Sequence, residues 1–173
     1  MNELSREYTE ELEQYREDSQ ENHDPRHVTL SPPQNLYCGI LEEQCIAENY
    51  RKHKNTLLRH LREKSMALSG RIVYHPYRSE NDDEKADMDW WRKLIQKRKG
   101  IAELRYAPHF HFVGYGYFAK SDFFYGNTRW VYKTVRTLSS RQSIEDMFRY
   151  LLSHKLVLSP LRTCQKVGMM SGR

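Results

Sequence analysis

The residues with most chemical potential are three histidines and one tyrosine. In Pro108-His109-Phe110-His111-Phe112 imidazole and phenyl rings alternate. Successive side chains of a strand point to opposite faces, so His109 and His111 share one face and Phe110 and Phe112 the other. Two imidazoles about 6.5–7 Å apart along one strand face can converge on a single metal ion. The plainer alternative is the polar face of an amphipathic strand. Further on, Tyr150 and His154 are four residues apart, one turn along the same helix face. Alone, they read as a packed tyrosine with its hydroxyl reaching outward beside a solvated histidine. Taken together, His109, His111 and His154 make a three-nitrogen site with positions left for water and a phosphate oxygen. A tyrosine one turn from a ligand would bring its hydroxyl to a metal-bound phosphate. With an ordinary pKa of about 10 it is a poor nucleophile, and a polarising metal and a nearby base would make its attack feasible. Glu103 and His75 are spare ligands.

These side chains must be held by strands and a helix. Residues 1–25 read as an acidic, flexible arm with some helical character, because their apolar set is thin. Arg26–Ser31 reads as a strand ended by Pro32-Pro33. A long helix is expected over 41–68, with Ile46, Tyr50, Leu57, Leu61 and Leu68 on one face and Gly70 as its stop. Arg71–His75 follows as a short strand. After an acidic loop (79–89), Trp90–Lys99 reads as a short helix with a basic outer face, and Ile101–Tyr106 as an extended lead-in. His109–Phe118 is the most strand-like run, and Gly126-Asn127 suggests a loop pairing it with Arg129–Leu138. Ser143–Asp146 has the form of a capping box opening a helix to about His154, whose apolar stripe is Ile144, Met147, Phe148, Leu151 and Leu152. A last strand is expected over 157–167, broken at Pro160. This order predicts an α+β sandwich, an antiparallel sheet with packed helices, and its natural candidate is the ferredoxin-like βαββαβ core.

The 173 residues fit one domain with a tail, divided as a 1–25 arm and a 26–173 body. The arm holds nine acids and two bases, which leaves 26 bases against 14 acids in the body. Such a body favours a polyanion. Arg129, Lys133, Arg136 and Arg141, together with the basic residues of 92–99, could line a nucleic-acid track through phosphate contacts. Three cysteines without CxxC spacing argue against a disulfide scaffold or cysteine zinc finger, and a reducing intracellular compartment is expected. The sequence shows no run of roughly 20 apolar residues, so no membrane partner is expected. There is no phosphate-binding GxxxxGK[ST] loop.

His109-Phe110-His111 resembles the His-hydrophobic-His signature of HUH endonucleases, the single-strand DNA nickases that include rolling-circle replication initiators, relaxases and single-strand transposases. The strand HVTLSPP resembles their first motif and FRYLLSHK their tyrosine motif. The similarity covers roughly 26–167 and looks closest to replication initiators of archaeal plasmids and viruses. It implies that Tyr150 attacks a DNA phosphodiester, leaving a 5′-phosphotyrosine and a free 3′-OH, with Mg²⁺ or Mn²⁺ held by His109 and His111. His154 has a family parallel as a ligand four residues after the tyrosine. Many initiators carry lysine three residues after the tyrosine. Here that position is Ser153, and Lys155 is the candidate for the charge-stabilising role. The implied substrate is single-stranded or hairpin DNA, with a helicase or polymerase supplied in trans. A single-tyrosine transposase, which dimerises by exchanging its tyrosine helix, is the nearest alternative and leaves a homodimer open. A non-catalytic single-strand-binding domain and a water-using metal phosphoesterase are the others.

Overall fold

The computed structural model describes residues 2–33, 43–79, 104–155 and 164–168. Along these residues the elements are α1 (Asn2–Ser19), β1 (Arg26–Ser31), α2 (Glu43–Lys64), β2 (Ser65–Ser79), β3 (Leu104–Phe118), α3 (Ser121–Thr128), β4 (Val131–Thr137), α4 (Arg141–Lys155) and β5 (Cys164–Val167). The α+β class is as expected. The strands form one antiparallel sheet in the order β4-β1-β3-β2-β5.

Pairing dictates the connections. β1 and β2 both run antiparallel to β3, so they run parallel to each other and α2 must carry the chain back. β3 and β4 flank β1 in the same way, with α3 as their crossover. The expected hairpin between His109–Phe118 and Arg129–Leu138 therefore does not form. Gly126 and Asn127 lie inside α3. The turn signal loses to burial: Phe124 and Thr128 pack inward, and the Thr128 hydroxyl donates to the Phe124 carbonyl while accepting from the Trp130 N–H. Arg129 ends α3 in the left-handed region, φ 62°, its N–H donating to the Tyr125 carbonyl.

The alternation in β3 decides where the two halves of the core lie. Phe110 and Phe112 join Val28, Leu30, Ile72 and Tyr74 beneath Tyr50, Leu57 and Leu61 of α2 and Phe124 of α3. On the other face Val73, Val113 and Tyr115 meet Tyr8, Leu12 and Tyr15 of α1 and the whole expected stripe of α4, Ile144, Met147, Phe148, Leu151 and Leu152. α2 ends at Lys64, short of Gly70, which sits in β2 opposite Gly114. A Cβ on either glycine would fall 2.3 Å from a backbone oxygen of the neighbouring strand, so the pair permits close strand contact instead of stopping a helix.

The expected flexible arm is a structural helix. Leu12 is fully buried and Tyr8 and Tyr15 nearly so, and aromatic rings let a thin apolar stripe cover a large area. Three of its nine acids have partners elsewhere in the fold. Glu11 takes Arg71 (Nε 3.0 Å) and Lys166 (2.9 Å), and Glu10 and Glu13 take Arg141. The Arg71 guanidinium also lies 3.5 Å from the centre of the Tyr8 ring. α1 thus belongs to the same packed unit as the rest. The box opening α4 starts three residues earlier than expected, with reciprocal 3.1 Å bonds between Ser140 and Ser143. The helix expected over Trp90–Lys99 and residues 157–163 of the last strand lie outside the described residues. No described helix is long and apolar enough to cross a membrane.

Candidate metal centre

The face of the sheet under α1 and α4 carries a cluster of imidazoles. The β2–β3 register sets His75 directly across from His109. His111 lies two residues along β3, between Val73 of β2 and Thr29 of β1. The ligand nitrogens of His75, His109 and His111 all lie within 4.8 Å of one another, and all three side chains are buried. The ring centres are 5.5 Å apart for His75–His109, 4.5 Å for His75–His111 and 4.9 Å for His109–His111. The third imidazole of the group comes from the neighbouring strand. His154 lies in the last turn of α4, and its side chain and that of Lys155 lie outside the described residues, as does Glu103.

Backbone carbonyls fix two of the tautomers. His109 Nδ1 lies 2.8 Å from the Ala107 oxygen, so the nitrogen donates and the neutral ring keeps its lone pair on Nε2. His75 Nε2 lies 3.0 Å from the Leu151 oxygen, which puts its lone pair on Nδ1. Burial pushes His75 down to about 4, so it is an uncharged donor at neutral pH. A fourth ring, His27 on β1, stacks at 25° on His111 with Nε2 2.8 Å from His111 Nδ1. Burial first, then the charges of Arg136 and His75, push His27 down to about 4 as well.

The donor set fits a divalent ion. Neutral imidazoles suit Zn²⁺, Cu²⁺, Fe²⁺ and Ni²⁺, whereas Mg²⁺ prefers oxygen ligands. Among the described residues the group contains no carboxylate. Nitrogens about 2.1 Å from one ion lie at most about 4.2 Å apart, so the rings need close by only about half an ångström.

The tyrosine helix docks at this cluster. His75 bonds the carbonyl of Leu151, the residue after Tyr150, and Tyr150 is packed at the edge of the same core. Burial raises the Tyr150 pKa, so its phenol holds its proton more firmly than in water. Two of the four basic residues expected on a nucleic-acid track share this neighbourhood. Lys133 is exposed and pairs with Thr29, which pairs with His111. A bulge in β4 leaves Val135 without a β1 partner and sets exposed Arg136 across from His27. Arg129 instead ends α3, with its guanidinium 5.6 Å from the Tyr125 ring, and Arg141 is engaged by Glu10 and Glu13.

Sequence reasoning treated His75 as a spare and gave His27 no role. For His27 a signal was present, since His27, Thr29 and Ser31 alternate onto one face of HVTLS; the level of His75 beside the histidine pair is set by the β2–β3 register. No family model, curated protein or solved structure matches this chain.

Proposed function

We propose that the chain is a metal-dependent enzyme that nicks and rejoins single-stranded or hairpin DNA, using Tyr150 as nucleophile in the manner of HUH endonucleases. One observation carries this reading: three buried imidazoles gather on the sheet face against which the Tyr150 helix is fastened, through the Leu151 carbonyl. The β4-β1-β3-β2 order with crossovers α2 and α3 agrees with a ferredoxin-like core extended by β5. Exposed Lys133 and Arg136 on the flank of the cluster suit a phosphate backbone.

His75, His109 and His111 would hold the ion, which would polarise the scissile phosphate. The Tyr150 oxygen attacks phosphorus, the P–O3′ bond breaks, the phenolic proton leaves to a nearby base, and the departing 3′ oxygen takes up a proton. The 5′ end remains on tyrosine, and the reverse reaction rejoins the strand. Because burial disfavours the phenolate, a nearby base must take the phenolic proton as the Tyr150 oxygen attacks, and an ion held by the three histidines would supply the Lewis acidity that makes the phosphate susceptible. Among the described residues the donors are all imidazole, which suits Zn²⁺, Fe²⁺ or Ni²⁺ better than Mg²⁺, and Mn²⁺ serves as the test ion that the resemblance implies. Initiation of rolling-circle replication is preferred to transposition, with the free 3′-OH as primer and a helicase or polymerase acting in trans.

The test is a denaturing gel of labelled single-stranded DNA incubated with protein and Mn²⁺. Wild type should give a covalent protein–DNA band, and Tyr150→Phe should lose band and cleavage while still binding DNA. Cleavage without a covalent band would convert the reading to a water-using phosphoesterase. Binding with neither would leave a single-strand-binding domain.

A further inference from the structure

We infer that His27 is a positioning residue for this centre, the acceptor that takes the Nδ1–H of His111 when an ion selects the tautomer with its lone pair on Nε2. The inference rests on the metal-centre reading above and goes beyond its three ligands. His27 and His111 share one hydrogen between Nε2 and Nδ1, 2.8 Å apart, and His27 Nδ1 is buried with no hydrogen-bond partner among the described residues.

Two arrangements are open to a neutral pair. In the first, His27 Nε2–H donates to His111 Nδ1. The hydrogen of His111 then sits on Nε2, and neither nitrogen of that ring can bind an ion. In the second, His111 Nδ1–H donates to His27 Nε2, His111 Nε2 carries a lone pair, and the hydrogen of His27 moves to Nδ1. That N–H is then buried without an acceptor, which is the less tolerated kind of orphan. The metal-free pair therefore favours the first arrangement, and the ion selects the second. On each ring one N–H bond breaks and another forms, so the proton count of the pair is unchanged. The device matches the general pattern in which a ligating histidine gives its other N–H to a fixed acceptor, here a second imidazole where a carboxylate or carbonyl is usual.

Three proteins and two probes test this. Co²⁺ affinity by calorimetry, with the visible Co²⁺ spectrum, is compared for wild type, His27→Phe and His27→Gln. Nitrogen-15 NMR of wild type with and without Zn²⁺ reads the tautomers. His27→Phe keeps a ring but removes the acceptor, and should weaken Co²⁺ binding about 10–100-fold and shift the spectrum. His27→Gln returns an accepting oxygen and should recover much of the loss. Zn²⁺ should switch His111 to the Nδ1–H form and His27 with it. Wild-type Co²⁺ affinity and spectrum in folded His27→Phe would overturn the role of His27 while leaving the three-ligand centre intact. If His27→Phe does not fold, a Zn²⁺-loaded His111 without hydrogen on Nδ1 overturns it instead. Failure of wild type to bind Co²⁺ at all, or full affinity in His109→Ala, would overturn the centre itself.

Discussion

Leu12→Ala asks whether α1 is part of the fold that holds the histidine cluster. Leu12 is fully buried between α1 and the sheet face that carries Val113 and Tyr115, in the cluster that contains Phe148 of α4. Leucine-to-alanine changes in cores cost about 2–5 kcal/mol, more where the cavity cannot collapse. Two features prevent collapse here: the flanking groups are the stiff rings of Tyr8, Tyr15 and Phe148, and α1 is tied down by Glu11 to Arg71 and Lys166. A loss of about 3–4 kcal/mol is expected, a large part of the roughly 5–15 kcal/mol that holds such a domain. At this chain length that amounts to a fall in melting temperature of roughly 6–15 °C. Glu10→Gln, which removes one partner of an exposed ion pair, should cost under about 1 kcal/mol. Urea titration followed by far-UV circular dichroism measures both. If Leu12→Ala lies within about 0.5 kcal/mol of wild type, α1 does not hold the core together and residues 1–25 are an arm after all.

The other predictions concern the site. His27 and His75 in the chelator-treated chain stay uncharged down to about pH 4, while in the unfolded chain they take protons near pH 6.5. Their contribution to stability is therefore intact above about pH 6.5 and is lost as pH falls toward 4, at about 3 kcal/mol for each; a stability that is flat across this range would contradict their neutrality. His75→Ala should weaken Mn²⁺ binding as severely as His109→Ala or His111→Ala, and calorimetry giving wild-type affinity would remove it from the ligand set. Lys133→Ala and Arg136→Ala should each lower the salt dependence of single-stranded DNA affinity by close to one ion; an unchanged slope would place the DNA elsewhere.

Much of this arrangement was legible because periodicity is local. The alternation of His109-Phe110-His111-Phe112 correctly separates the imidazole face from the phenyl face, and the five-residue stripe of α4 is buried as its spacing requires. Strand order is not local. Gly126-Asn127 carries a hairpin signal, yet it sits in a crossover because β3 and β4 both pair with β1. The identity of the third imidazole depends on that same non-local pairing. His75 meets His109 only through the β2–β3 register, which no spacing within either segment reveals. The arm differs for another reason: its carboxylates look like solvent-facing charge, and the partners of Glu10, Glu11 and Glu13, namely Arg71, Arg141 and Lys166, come from distant parts of the chain.

The bare flank of β4 has a consequence for the shape of a substrate. α1 and α4 roof the imidazole face over β2 and β3, while Val131, Lys133, Val135 and Arg136 stay exposed at the other side. Under the proposed reaction, a strand tracking the exposed Lys133 and Arg136 along β4 would present an internal bond to Tyr150, and a closed circle would serve as well as a linear strand.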